Sequence, residues 1–148
     1  MTDAMIKKGA SKAECPTPEN PAFVIPKPLI EAKVAIVTSA SLHHEDDDDF
    51  APSDTSYRVI EKDRRDVVVG HWSPNFDASG VSADLNVVFP IDRLQELENR
   101  GIIGSVSDVH IAVAGNQFDL SGIRLDGGPA AAALLNKHEV DVVLLTPV

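Results

Sequence analysis

Three stretches of this chain are too apolar to stay in water and show no helical period. KVAIVTSAS (residues 33–41), DVHIAVAGN (108–116) and VDVVLL (140–145) are short runs rich in Val, Ile, Leu and Ala, bounded by polar or breaking residues. The first has the continuous Val/Ile pattern of a strand covered on both faces, as in a parallel sheet, and the other two read as strands of the same sheet. Between them lie helical signals. In NVVFPIDRLQELENRGIIG (86–104), Val87, Val88 and Phe89 predict a short strand, Pro90 ends it, and Ile91, Leu94 and Leu97 recur at helical spacing until Gly101. PAAAALLNKH (129–138) places proline at a helix start and Lys137 and His138 near its end. SYRVI (56–60) and DVVVGHW (66–72) add two more strands, and QFDLSGIRLDGG reads as irregular. Strands alternating with helices predict a three-layer α/β domain with a mostly parallel sheet. Residues 1–28 carry Pro16, Pro18, Pro21, Pro26 and Pro28 and predict an extended N-terminal arm, leaving 29–148 as the domain.

Charge and composition narrow the partners. With 23 Asp and Glu against 13 Lys and Arg, a net charge of -10 argues against nucleic acid or an anionic membrane. No stretch is apolar for long enough to span a bilayer and no signal-type leader opens the chain, which together predict a cytoplasmic protein. The single cysteine, Cys15, lies in the polar, proline-rich leader and is given no role.

Nucleotide-binding, GxSxG, CxxC and HExxH patterns are missing from the sequence. The candidates for chemistry are polar residues released where apolar runs end. HHEDDDD (43–49) has metal-ligand residue types, although a solvated charge run on a mobile loop is the commoner reading; His43, nearest the strand end, is the member best placed for a site. His71 follows another strand and suits acid–base work or anion binding, or else caps a loop. Asp92 and Arg93 open a helix, where Asp92 also serves as an early-helix anion. Arg58 and Arg93 could each grip a carboxylate in a bidentate pair, or sit in surface ion pairs.

Taken in order, LIEAKVAIVTSASLH, SYRVI, VVVGHWSPNFD, DLNVVFPIDRLQELENRGIIGSV and HEVDVVLLTPV resemble the selenoprotein B family of glycine, sarcosine, betaine and D-proline reductases over residues 29–148, most closely the short selenocysteine-containing subunit of the D-proline enzymes. The resemblance implies a Rossmann-like α/β fold and reductive cleavage of a carbon–nitrogen bond in a small amino acid or N-methylated analogue. It implies a pyruvoyl group on a partner subunit, a dithiol reductant, and His43, Arg58, His71, Asp92 and Arg93 at polar positions of the family pattern, with the histidines lining a pocket and an arginine meeting substrate carboxylate. In that family the strand matching VDVVLLT is followed within a couple of residues by the catalytic selenocysteine or cysteine. The expectation is therefore of a chain stopping just before its nucleophile, as a selenocysteine codon read as stop would produce, and inactive as it stands. SASLHHEDDDD is more acidic than the family pattern and NQFDLSGIRLDGG departs from it, which leaves the substrate open. Two other readings stand beside this one: a non-catalytic α/β binding or assembly module, and a metal- or small-ligand-binding domain using the loop from His43 to Asp49.

Overall fold

The computed structural model describes residues 3–12, 17, 24–71, 73, 76–115, 117 and 119–148. Cys15, three of the leader prolines (Pro16, Pro18 and Pro21), Trp72 and Asn116 lie outside them. The chain is mixed α/β, built on a mostly parallel five-stranded sheet. β1 (Lys33–Thr38) is its centre. One edge of β1 pairs in parallel with β7 (Val142–Thr146), and the other with β5 (Ser105–Val106) and then β6 (Val109–Val113). β3 (Tyr57–Glu61) lies antiparallel outside β6, and a separate antiparallel pair joins β2 (Leu42–His44) to β4 (Val67–Val69).

Alternate residues of β1 enter different apolar clusters, as the two-residue period of a strand requires. Val34 and Ile36 pack with Val88, Phe89, Ile91 and Leu94, the residues around the start of α3 (Ile91–Asn99). Ala35 and Val37 pack with Ala131 and Leu135 of α4 (Gly128–Lys137). Both faces of the strand are therefore dry, which is why the run contains no alternating polar residue. Each fully buried aliphatic side chain contributes on the order of 1.5–3 kcal/mol. α3 ends where the sequence expects, at Gly101 with φ of 65°, a conformation open to glycine at no cost. A short helix, α2 (Ser79–Ala83), precedes α3, and no helix among the described residues is long and apolar enough to cross a membrane.

Four local expectations change. Val87–Phe89 is not a strand: a 3-10 turn at Leu85–Val87 is set by Asp84, whose carboxylate accepts the Asn86 amide, and Val88 and Phe89 then drop into the core. The segment read as irregular after residue 117 is helical from 121 onwards, with a π turn at Ile123–Gly127 running into α4; Gly128 allows the close passage, since a Cβ there would stand 2.7 Å from the Ile123 carbonyl oxygen. The leader holds a helix, α1 (Asp3–Ala10), ahead of its prolines. Finally, the acidic stretch after His44 is tied down rather than free, as described below.

Between β5 and β6 the ladder on β1 breaks. Lys33 and Val34 face Ser105 and Val106, but Val37 and Thr38 face Ile111 and Ala112. The Ile36 amide falls in the gap and donates to the buried His110 ring at Nδ1, 2.9 Å away. A side chain thus replaces a missing carbonyl. The ring must be neutral to accept, and burial, with a smaller push from Lys62, brings its pKa from 6.5 to about 4. An unfolded histidine takes up its proton near 6.5, so across that window the unfolded state binds more protons. Stability is full above it and falls as pH drops through it. We expect His110→Ala to cost about 2–4 kcal/mol, a cavity plus an orphaned amide. His110→Asn, whose Oδ1 can stand where Nδ1 stood, should cost less and flatten the acid-side loss; urea unfolding above and inside the window measures both.

Candidate functional site

The parallel strands β1, β6 and β7 end together, and in open α/β sheets ligands sit outside such carboxyl ends. Here the ends are cross-tied. The Ser39 amide donates to the Thr146 carbonyl at 3.3 Å, Thr146 Oγ1 donates to the Val88 carbonyl at 2.9 Å, and the Val148 amide donates to Ser39 Oγ at 2.9 Å. These bonds gather the exit of β7, the turn after β1 and the approach to α3. The turn itself is tight: Ser41 has φ of 55°, its amide donates to the Val113 carbonyl, and its carbonyl accepts from Gly70.

His71 reaches this rim from beyond β4. Its ring stacks on Phe76 at 4.3 Å and 19°, and Nδ1 accepts the Ser73 amide at 3.2 Å. The other ring nitrogen, Nε2, is buried without a hydrogen-bond partner among the described residues. Burial pushes the ring's pKa below the ordinary histidine value. A Cβ added to Gly115, just past β6, would stand 2.7 Å from His71 Nε2 and 2.8 Å from the Ser39 carbonyl oxygen. The strand end, the turn and the imidazole therefore converge on a point that only glycine leaves open.

His43 lies on the other side of the same turn but is differently employed. It is buried in β2, with Nδ1 3.3 Å from the Ser41 carbonyl and Nε2 3.0 Å from Asp49. Arg58 is brought beside it: the guanidinium lies over Phe50 at 4.3 Å, and the His43 ring meets Phe50 edge-on. All five Arg58 donors are used, on the carbonyls of Asp48, Asp49 and Tyr57, on Ser56 Oγ and on Asp54. Asp92 and Arg93 stand apart, on α3: Asp92 is held by Asn86 and lies 3.7 Å from Arg65, while exposed Arg93 pairs with Glu96.

The remaining acidic residues diverge. Asp47 accepts the His44 amide, and Asp46 and Asp66 both pair with Arg64, which with lesser help holds the Asp66 carboxyl down at about 2. His44 in turn accepts the Glu61 amide at Nε2. No group of three or more His, Cys, Asp or Glu among the described residues could hold a metal ion. Sequence reasoning passed over Ser39, Ser41, Gly70, Gly115 and Phe76. The available signal was a glycine or small hydroxyl residue immediately after each apolar run. Arg58→Ala should release the acidic loop: we expect a loss of about 1–3 kcal/mol and faster amide exchange through residues 45–54, with Arg58→Lys restoring little because an ammonium cannot span the acceptors.

The glycine/sarcosine/betaine reductase selenoprotein B family model matches residues 11–148. D-proline reductase subunit gamma of Acetoanaerobium sticklandii is 33% identical over 99% of this chain and 62% of its own length. Glycine reductase complex component B subunit gamma of Symbiobacterium thermophilum is 29% identical over 87% of this chain and 30% of its own, and sarcosine reductase complex component B subunit beta of Peptoclostridium acidaminophilum is 27% identical over the same shares. The chain thus spans less than two thirds of the length of each of these relatives. No solved structure matches it. With a family match across nearly all of its sequence, the chain belongs to the selenoprotein B family of glycine, sarcosine and betaine reductases.

Proposed function

We propose that this chain is the amino-terminal part of a cytoplasmic amino-acid reductase subunit of the D-proline/glycine type, whose selenocysteine or cysteine nucleophile follows β7 just beyond Val148. The observation that carries the reading is the junction at Ser39, which receives the Val148 amide on its hydroxyl while its carbonyl oxygen and the His71 ring both pack closely against Gly115. A selenolate or thiolate leaving β7 there would emerge beside a hydrogen-bonding rim rather than in the core, near the start of α3, whose dipole favours an anion. On this reading the fold is three-layered and Rossmann-like, with α3 and α4 on opposite faces, and its sheet continues past the outer edge of β7. Two facts support the continuation: the relatives are longer, and Leu145 of β7 is 68% exposed.

The reaction would be reductive opening of the carbon–nitrogen bond next to a carboxylate, in D-proline, glycine, sarcosine or betaine. The chain's own residues position and exclude water: His71 at the strand ends, His43 buffering the turn from within, and Phe76 closing one side of the imidazole. The pyruvoyl group of a partner subunit would activate the substrate amine, and a dithiol would return the nucleophile to its reduced state. Arg58 and Arg93 serve the loop and the helix surface in this reading, because both guanidiniums are already engaged.

The test is the protein as its source makes it. We expect a native mass greater than that of the 148 residues, one selenol or thiol beyond Val148 that iodoacetamide alkylates, and dithiol-dependent consumption of one of the four substrates when the native complex is assayed. The 148-residue chain alone should be inactive. A native product ending at Val148, with no partner that copurifies with reductase activity, would replace this reading with the assembly module.

A further inference from the structure

We infer that the apolar groove on the α4 side of β7 seats a helix of this protein's own chain, the one that follows β7 and leads to the next strand of the sheet. The inference rests on the proposed continuation past Val148 and adds to it a face and an element type.

α4 covers only part of its face of the sheet. Ala131 and Leu135 pack on Ala35, Val37 and Ile111 of β1 and β6. Side chains paired across neighbouring strands share a face, and the register sets Val143 beside Ala35 and Leu145 beside Val37. Those two residues of β7 therefore point to the α4 side, yet they are 39% and 68% exposed. Next to them runs a groove of about 560 Å³, lined by Val143 and Leu145, by Ala132 and Leu135 of α4, and by Val24 and Pro26 of the N-terminal arm. Lys27 holds the arm there through an ion pair with Asp141 at 2.8 Å.

Topology decides which element closes such a groove. From β6 the chain runs through α4 and passes over β1 to reach β7, all three strands being parallel. Crossovers between parallel strands share one hand in about 98% of cases, so a further step in the same direction, from β7 to a strand on its outer edge, puts its helix on the same face as α4. An added strand would pair the backbone of β7 but leave the groove open, because strands lie side by side in the plane of the sheet and the groove lies above it. A second copy meeting β7 edge to edge would leave it open for the same reason. A helix packs about 8–10 Å from its neighbour and fills the space between with a row of side chains, which an apolar lining requires to be apolar. The chain matches 62% of the length of D-proline reductase subunit gamma, and the remainder of that relative exceeds the roughly 10–12 residues that a helical crossover needs.

The experiment compares the full-length product of the source with the 148-residue chain, each carrying Ala132→Cys, Leu145→Cys or Leu144→Cys. Alkylation by iodoacetamide is followed at each position by peptide mass, which tells it apart from Cys15 and from the nucleophile. All three positions are exposed in the structure, and all three should react in the 148-residue chain. In the full-length protein we expect Ala132→Cys and Leu145→Cys to slow by at least about tenfold, and Leu144→Cys, whose β1 neighbour Ile36 faces α3, to slow less. Ala132→Cys adds a single sulfur at an exposed helix position and keeps the fold, so the test survives if Leu145→Cys does not fold. Unchanged rates in a product that does continue past Val148 would overturn the inference and leave the reductase reading intact. Protection of Leu144→Cys equal to that of Leu145→Cys would overturn the choice of face. Protection that grows with concentration in the 148-residue chain would give the groove to a second copy and overturn the inference, and a native product ending at Val148 would remove both it and the reading beneath it.

Discussion

Both edges of β1 are hydrogen-bonded, and nearly everything else takes its position from that fact. A strand paired on each side has no freedom to slide, so the residues that follow it are delivered to one place. Lys33 anchors its start to β7 twice over: its amide donates to the Asp141 carboxylate and the Asp141 amide returns to the Lys33 carbonyl, each at 3.0 Å. The far end is anchored by the Ser39 and Thr146 bonds. The rim at the ends of β1, β6 and β7 is thus the end of a clamped strand, fixed in place by the sheet itself.

Three of the buried histidines divide the work in a way their residue type does not announce. His110 substitutes for a backbone carbonyl, and the His44 ring ties β2 to the end of β3 by accepting the Glu61 amide. His43 holds the turn from beneath and receives an acidic neighbour. His71, only partly buried as a residue, leaves Nε2 without a hydrogen-bond partner among the described residues, as His110 also does. It is the arrangement of acceptors and donors around each ring, rather than burial alone, that sets what each histidine does in the fold.

The parts of the fold that could be read from the sequence were those set by a repeating pattern. The runs at β1 and β6 and the spacing of Ile91, Leu94 and Leu97 announce dry strands and an amphipathic helix because burial acts along them, while β7 carries the same kind of apolar run with Val143, Leu144 and Leu145 exposed. The parts hidden were those set by one side chain. Asp84 diverted Val87 from a strand, and Arg58 turned an acidic stretch into an ordered loop from ten residues away. His71 was visible as a histidine past a strand, but its meaning depends on Gly115, 44 positions later, which no local reading connects to it.

The break that His110 fills has a further property. From the Lys33–Ser105 pair to the Val37–Ile111 pair, β1 advances four residues while the neighbouring strand advances six. The surplus is even, so the alternation of faces survives it: Val106 lies in the same cluster as Val34, and Ile111 in the same cluster as Ala35 and Val37. A surplus of one would have turned every later side chain of that strand over, putting His110 on the wrong face and sending Gly115 away from the imidazole it must clear. Adding or removing a single residue at this break would therefore invert the strand beyond it, whereas a change of two would keep its faces.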